Sequence, residues 1–595
     1  MCRIAGIISS SQQPNVNSKK VKAMCDLLAH GGPDDEGLFA DPDEKIVLGH
    51  RRLSIMDLSA NGHQPMSDQQ QKIWMVFNGE IYNFQELKEE LVAYGATFHS
   101  QTDTEVIIAA YAQWGTAAFS KLRGIFAFAL YDSVKNITLL VRDSYGVKPL
   151  YYHIQNNQLS FASEVKPLGK VNDIPTDPNW KIRFLAYGYV PEPFTTLKGV
   201  YNIPKGSYMC WDNQTGKYTI ERYHLSFKQH TKITDLRIAE EAVRTALGKA
   251  VKRQLMADAP IGVFLSGGID SSILTLLANE VNNSLLKTVS IYFSEKTYDE
   301  YSFQALINQK VKCEQYTHLI NQKDLDDYLP QILEDMDMPT TDGINAWFIS
   351  KYASEAGLKA VLSGLGADEL FGGYPSFERI GFLKGLKKVP NAILRAGANF
   401  ADEKFRKLSY VKYDHPVANY LFLRGNYSPE EIAGILNTTA VHVIEVLLDE
   451  HTNYSSKQFE KTDASWYEMN MYMQNQLLKN SDVMGMRHAL EIRVPFLDED
   501  FVETVQNIVP DVRFQNQLPK KLLVDSFKDI LPREIWDRPK MGFTFPLQEW
   551  MRKNPMITDP ALYKNKQARK ALDLFNKGQV HWGKLYALYQ VQYYQ

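Results

Sequence analysis

Two stretches of this chain combine residue types that can do phosphate chemistry. The first is Ile261-Gly262-Val263-Phe264-Leu265-Ser266-Gly267-Gly268-Ile269-Asp270-Ser271-Ser272. Its apolar start reads as a buried strand, its Ser-Gly-Gly as a tight turn, and the Ile273 to Ala278 run beyond as a helix. Glycines keep Cβ atoms out of the turn, so its N–H groups can converge on one anion, and the helix dipole favours negative charge there. No Gly-Lys-Ser/Thr follows the glycines, which excludes a Walker A loop. By itself the stretch fits either a phosphate nest or an ordinary glycine turn. The second stretch is Ser363-Gly364-Leu365-Gly366-Ala367-Asp368-Glu369-Leu370-Phe371-Gly372-Gly373-Tyr374. Asp270 and Asp368 together can hold Mg²⁺, which prefers carboxylates plus phosphate oxygens. Alone, Asp368-Glu369 also fits a solvated helix start.

Cys2 is the third candidate. Once Met1 is removed, its thiol and α-amine lie on one residue, and an amine with a reference pKa near 8 can act as base for the thiol. A lone cysteine is otherwise a small buried residue of a terminal strand. Other residues bear on the choice. Asn78 and Gly79, at a turn after a strand, offer an amide side chain and a backbone N–H for an oxyanion hole. Arg52 can clamp a carboxylate, while Glu80 and Asp103 can hold an α-ammonium. That set suits an amino acid whose side-chain amide is attacked.

These residues need scaffolds. The chain has 595 residues, with 44% hydrophobic and 23% charged residues, enough for two or more domains. A net charge of −3 gives no reason to expect a nucleic-acid or membrane partner, so small-molecule substrates are expected. Four cysteines, at 2, 25, 210 and 313, make no disulfide framework, and a reducing, cytoplasmic location is expected. No signal peptide or run of 18 apolar residues is read, and paired-Cys or His-Glu-x-x-His metal spacings are absent. Residues 2–205 are strand-rich, with helical periodicity at Phe84 to Tyr94 and Thr104 to Trp114, which predicts an α+β domain of two packed sheets. A Pro- and Gly-rich connector follows, and the linker is set at 206–236. In 237–560 helices alternate with the runs at 261, 286–293 and 359–363, which predicts an α/β domain with a parallel sheet. Residues 561–595 read as a poorly patterned C-terminal extension.

The N-terminal Cys, His50 to Ile55, Asn78 to Asn83, Arg142-Asp143-Ser144-Tyr145-Gly146-Val147-Lys148-Pro149-Leu150-Tyr151 and Phe161 to Glu164 resemble class II (Ntn-type) glutamine amidotransferases. The 266 loop resembles the pyrophosphate loop of ATP pyrophosphatases. With Ser481 to Asp498 and Arg538-Pro539-Lys540, the chain is similar to the glutamine-hydrolysing asparagine synthetase family. The resemblance implies an αββα first domain in which Cys2 forms a glutamyl thioester and releases ammonia, with Arg52, Ile55, Asn78, Gly79, Glu80 and Asp103 at the glutamine. It implies a second domain where a carboxylate attacks the α-phosphate of ATP, PPi leaves, and ammonia attacks the acyl-adenylate. Leu265, Ile291, Ser363 and Gly364 would flank the nucleotide, with Ser266, Gly267, Gly268, Asp270, Ser271 and Lys540 at the phosphates, and Asp270 and Asp368 on Mg²⁺. It also implies an internal ammonia tunnel and a homodimer.

Two departures stand out. Gly31 occupies a usual Arg position, which is expected to loosen the loop over the glutamine. Leu365 stands where asparagine-forming members usually have Glu, a group able to accept a proton from ammonia or place the aspartate amine. Loss of a positioned acid–base group costs about 10²–10⁴-fold in rate. Glu334, Asp337 and Asp342 are the candidate substitutes. The acceptor is therefore aspartate or another small carboxylate, such as a sugar or surface-polymer precursor. A non-catalytic scaffold would be expected to lack these residues.

Overall fold

In the computed structural model the described residues are 2–594, apart from 12–15, 225–231, 282–284, 391–393, 395–405, 450–453, 455–457, 516 and 517. The strand Cys2–Ser9 is buried at every position. It lies between the antiparallel strands Ile46–Arg52 and Gln158–Ala162, and its alternate side chains meet different layers. Ala5 and Ile7 pack with Val21, Met24 and Cys25 of the helix Val16–Leu27. Ile4 and Ile8 face Val76, Ala127 and Leu140 of a second sheet. On that sheet's far side, Met75 and Phe77 meet Leu87 and Val106 of the helices Phe84–Ala93 and Asp103–Trp114. Two six-stranded antiparallel sheets thus lie between helices, the expected αββα sandwich.

The strip set as a linker, 206–236, differs from expectation. Ser207–Asp212 pairs onto Ile137–Arg142 of the second sheet, and Tyr218–Arg222 pairs onto Ser207–Asp212 as its outer strand. Met209 and Trp211 enter the core between the sheets, so apolar alternation outweighs the nearby Pro and Gly. The helix Leu236–Gln254 opens the second domain.

The parallel sheet runs Cys313–Ile320, Leu286–Phe293, Ile261–Phe264, Ala360–Leu362, Glu491–Arg493. In chain order this is 3-2-1-4-5, so the order reverses between Ile261–Phe264 and Ala360–Leu362. Ligands of such sheets bind at the carboxyl ends flanking that reversal. Both glycine-rich motifs leave these two strands. The fifth strand lies within the stretch Ser481 to Asp498, and its three residues are too few for a period to show.

Residues 561–595 are no loose extension. The helix Trp582–Tyr593 is buried along Gly583 to Val591, and Gln590 exchanges two hydrogen bonds with the Thr340 backbone, at 2.6 and 3.0 Å. Among the described residues, no single helix is long and apolar enough to cross a membrane.

Candidate active sites

In the first domain, Cys2 is paired across the strand with Arg52 and is 6% exposed. Its backbone N–H donates to Asn78 Oδ1 at 3.2 Å. Asn78 is fully buried, and its Nδ2 has no hydrogen-bond partner. Gly79 follows in the strand Ile73–Ile81, where a Cβ would stand 2.2 Å from the Ile125 carbonyl oxygen, so only glycine fits. Burial pushes the Cys2 thiol up, while the Leu53 amide and the Arg52 guanidinium pull it down. The elements thus place an unpaired amide beside a buried thiol.

The expected glutamine clamp is only partly free. Arg52 donates to the carbonyls of Ser59, Met56 and Asp57, at 2.9, 3.4 and 2.5 Å. Asp103 accepts from the Ile81 N–H at 2.9 Å, and burial raises its carboxyl to about 6. Glu80 faces the second domain's Arg493 at 3.5 Å. Burial pushes the Glu80 carboxyl well up, against the pull of that guanidinium. Ile55 is buried in an interdomain cluster with Leu53, Ala360 and Met486.

In the second domain, a cavity of about 420 Å³ opens at the sheet reversal. Leu265, Ser266, Gly268, Asp270, Ser271, Ile291, Ser363, Gly364, Asp368 and Lys540 all line it. Ser266 and Ser271 hydroxyls meet at 3.0 Å and brace the turn. Gly267 is not in the wall. Its φ of +82° turns it away, against Phe303 and Gln304, and its carbonyl accepts from Arg538 at 3.0 Å. Glycine is needed there for the positive φ.

Asp270 and Asp368 do converge, on a residue the sequence analysis passed over. Lys520 Nζ lies 2.5 Å from Asp270 Oδ2 and 2.5 Å from Asp368 Oδ1. Lys540 Nζ reaches Asp368 Oδ1 at 2.7 Å and the Gly373 carbonyl at 2.9 Å. Burial works against the Asp368 charge, yet Lys520 and Lys540 hold the carboxyl down at about 2. Asp270 is instead pushed up by burial, with Lys520 opposing, and its Oδ1 has no partner. Lys520 is buried at φ +57°, a strained conformation for a non-glycine residue.

The first half matches the glutamine amidotransferase domain family over residues 1–224, and residues 242–581 match the asparagine synthase family. Asparagine synthetase [glutamine-hydrolyzing] 1 of Bacillus subtilis is 32% identical over 93% of this chain and 88% of its own length. This chain belongs to the glutamine-hydrolysing asparagine synthetase family. It is a ligase of that class and not a bare scaffold. Asparagine synthetase [glutamine-hydrolyzing] 3 of the same organism is 29% identical, covering 93% of this chain and 89% of that one. Amidase chry2 of Gibberella zeae is 27% identical, covering 92% and 90%.

Several residues of the family's motifs join the two domains. Asp143 accepts from the N–H groups of Tyr145, Val147 and Lys148 and so fixes the turn that presents Lys148. Lys148 and Arg3 then share Asp482, at 3.0 and 2.7 Å, and all three side chains are at most 1% exposed. Arg3 also meets Glu164 at 3.2 Å. Gly31 corrects an expectation. A Cβ there would stand 2.8 Å from Arg3 Cγ and 3.3 Å from Met486 Cε, so the position is a packed contact under the Arg3 side chain and not a loosened loop.

The three candidate substitutes for the absent Glu separate clearly. Asp337 caps the helix Val165–Asn172 by accepting from the N–H groups of Val165 and Lys166. Glu334 is exposed, and its carbonyl accepts from Lys166. Only Asp342 lines the cavity that holds Leu365, together with Asn345, Asn480 and Ser481. Asn480 and Ser481 lie just past a π-helical segment, Glu468–Leu478, a form that often marks functional sites. The sequence alone offers little warning of it.

Proposed function

We propose that this protein amidates a carboxylate with glutamine nitrogen at the expense of ATP, and that the acceptor is aspartate, giving asparagine, AMP and PPi. The observation that carries the reading is the cavity at the sheet reversal, where a Ser-Gly-Gly turn and a helix N-terminus face two carboxylates and two lysines.

In the first domain, Cys2 Sγ attacks the glutamine side-chain carbonyl. The Cys2 amine, free once Met1 is removed, takes the thiol proton, and the developing oxyanion meets Asn78 Nδ2 and the Gly79 N–H. The unpartnered Nδ2 supports this role. Collapse expels NH₃ and leaves a thioester, which water hydrolyses to glutamate. Arg52 takes the glutamine carboxylate, Asp103 and Glu80 the ammonium, and Ile55 supports the site from the domain seam.

In the second domain, Leu265, Ile291, Ser363 and Gly364 flank the nucleotide, while Ser266, Gly268 and Ser271 steady the phosphates. The acceptor carboxylate attacks the α-phosphorus, and PPi departs toward Lys520 and Lys540. Ammonia then attacks the acyl carbon, and AMP leaves. Mg²⁺ fits the Asp270 and Asp368 pair, since both carboxylates already converge on one cation and Asp270 Oδ1 is unspent. When bound, it supplies neutralising charge to the phosphates. The apolar seam of Leu53, Ile55, Ala360 and Met486 supports an enclosed route that keeps ammonia from being protonated in water.

A second reading, another small carboxylate as acceptor, is favoured by Leu365, whose apolar side chain faces the cavity where an acid was expected. ATP–PPi exchange separates the two. Aspartate-dependent exchange is expected; its absence, with exchange driven by a different acid, would move the acceptor to that acid.

A further inference from the structure

Three acidic side chains line the nucleotide cavity: Asp270, Asp342 and Asp368. Two are neutralised by the protein itself, Asp270 by Lys520 and Asp368 by Lys520 and Lys540. Asp342 is not. Among the described residues its neighbours are the Gly343 amide and the Asn480 side chain, and the phenol of Tyr472 feels its charge. None of these is a cation.

The surroundings hold that carboxylate in place. The Asp342 N–H donates to Thr340 Oγ1 at 3.2 Å, and Asn480 Nδ2 donates to the same oxygen at 3.0 Å. Asp342 directly precedes the Gly343 cap of the helix Ile344–Glu355, whose Ala346 and Ile349 face the cavity as apolar wall. Leu365 adds to that wall. The cavity's charge is therefore uneven: the lysines are committed to Asp270 and Asp368, and among the described residues Asp342 has no cationic partner. Asp342 is half-buried and desolvation pushes its carboxyl up, so a positive charge beside it would favour the ionised form. A polyanionic nucleotide cannot supply that charge, whereas an acceptor can.

We propose that Asp342 is the specificity-determining residue for the acceptor, and that the acceptor acid carries a cationic amine which pairs with this carboxylate. This rests on the adenylation reading above and narrows its substrate class to amine-bearing carboxylic acids. Leu365 cannot take the amine, so the recognition the family's usual Glu would share falls to Asp342, which lines the same cavity.

The test is ATP–PPi exchange by the full-length protein with the standard L-amino acids, aspartate included, and with amine-free acids such as succinate and glutarate. Exchange is expected only with amine-bearing acids, with the amine-free counterpart of the best one weaker by roughly 10–150-fold, the range of a charged hydrogen bond. Asp342→Asn is expected to raise KM for that acid by a similar factor, leave KM for ATP within about twofold, and erase the preference. Exchange driven equally well by an amine-free acid overturns the assignment while adenylation stands. A preference that survives Asp342→Asn does the same. No exchange with any acid of either kind overturns the adenylation reading and this inference with it. The comparison of acids on the unaltered protein decides the question even if the variant folds poorly.

Discussion

Replacing Lys520 with Met tests whether one buried ammonium holds the nucleotide cavity together. Lys520 Nζ is 2.5 Å from each of two carboxylate oxygens, and its side chain is 4% exposed. At an effective dielectric near 20, each contact is a gross attraction of roughly 7 kcal/mol. Desolvation cancels much of this, and removal of one partner from a buried ion cluster costs about 3–5 kcal/mol. For a domain of roughly 350 residues that corresponds to a fall of about 4–7 °C in the midpoint of the affected transition. The cost should depend on pH. In the parent protein Asp368 is held down at about 2, so its contribution is complete above the unfolded value near 4 and is lost only as pH falls through about 2. Without Lys520, burial raises both carboxyls, and protonation relieves the strain as pH drops. The deficit should therefore be largest at pH 8 and smaller at pH 5. A second substitution, Asp270→Asn, removes the surplus charge and leaves Lys540 on Asp368. Differential scanning fluorimetry of parent, Lys520→Met and Lys520→Met/Asp270→Asn at the two pH values reads all of this. An equal deficit at pH 5 and 8, or a double variant no more stable than the single one, would refute the reasoning.

Three further outcomes are expected. Cys2→Ala should lose glutamine-supported product formation by at least ~10³-fold and keep synthesis from added ammonium salts; product assays with the two nitrogen sources compare them, and retained glutamine use would displace Cys2 as nucleophile. With Asp103 raised to about 6 by burial, its charge is lost below that pH, so KM for glutamine should climb up to about tenfold per unit under pH 6. Glutaminase kinetics from pH 5 to 8 check this, and a flat KM would remove Asp103 from the ammonium site. Asp482→Asn leaves Arg3 and Lys148 buried without their shared carboxylate, costing about 3–5 kcal/mol. Denaturant unfolding followed by tryptophan fluorescence measures it, and a loss below about 1 kcal/mol would show the pair to be dispensable.

What the sequence disclosed follows from the range over which each signal acts. The 266 turn and the 363 motif were readable because a strand, its glycines and the next helix are contiguous, so local spacing already implies a nest at a sheet edge. The first domain's two packed sheets were readable for the same reason, through compact apolar runs, and the αββα layering through the family resemblance. Lys520 was not. In Leu518-Pro519-Lys520-Lys521 it resembles any solvated helix start, and only a positive φ and two partners some 150 and 250 residues away make it buried. Choosing among Glu334, Asp337 and Asp342 failed similarly, because all lie within nine positions and only the packed chain decides which meets the cavity. The strands at 207–222 were obscured by nearby Pro and Gly, and the outer one, Tyr218–Arg222, is exposed throughout and so lacks a buried face to reveal it.

The Arg3–Asp482 contact orders events in time as well as space. The two partners are 479 residues apart, so at about 5–20 residues added per second Arg3 waits roughly 25–95 s for Asp482 to be made. Until then, among the described residues, Arg3 beside Cys2 has only Glu164 as an ion-pair partner, and Lys148 lacks Asp482. A growing chain therefore carries Cys2 and Arg3 long before the carboxylate that pairs with Arg3 exists. The Arg3 contact can close only when the second domain has been synthesised and docked against the first.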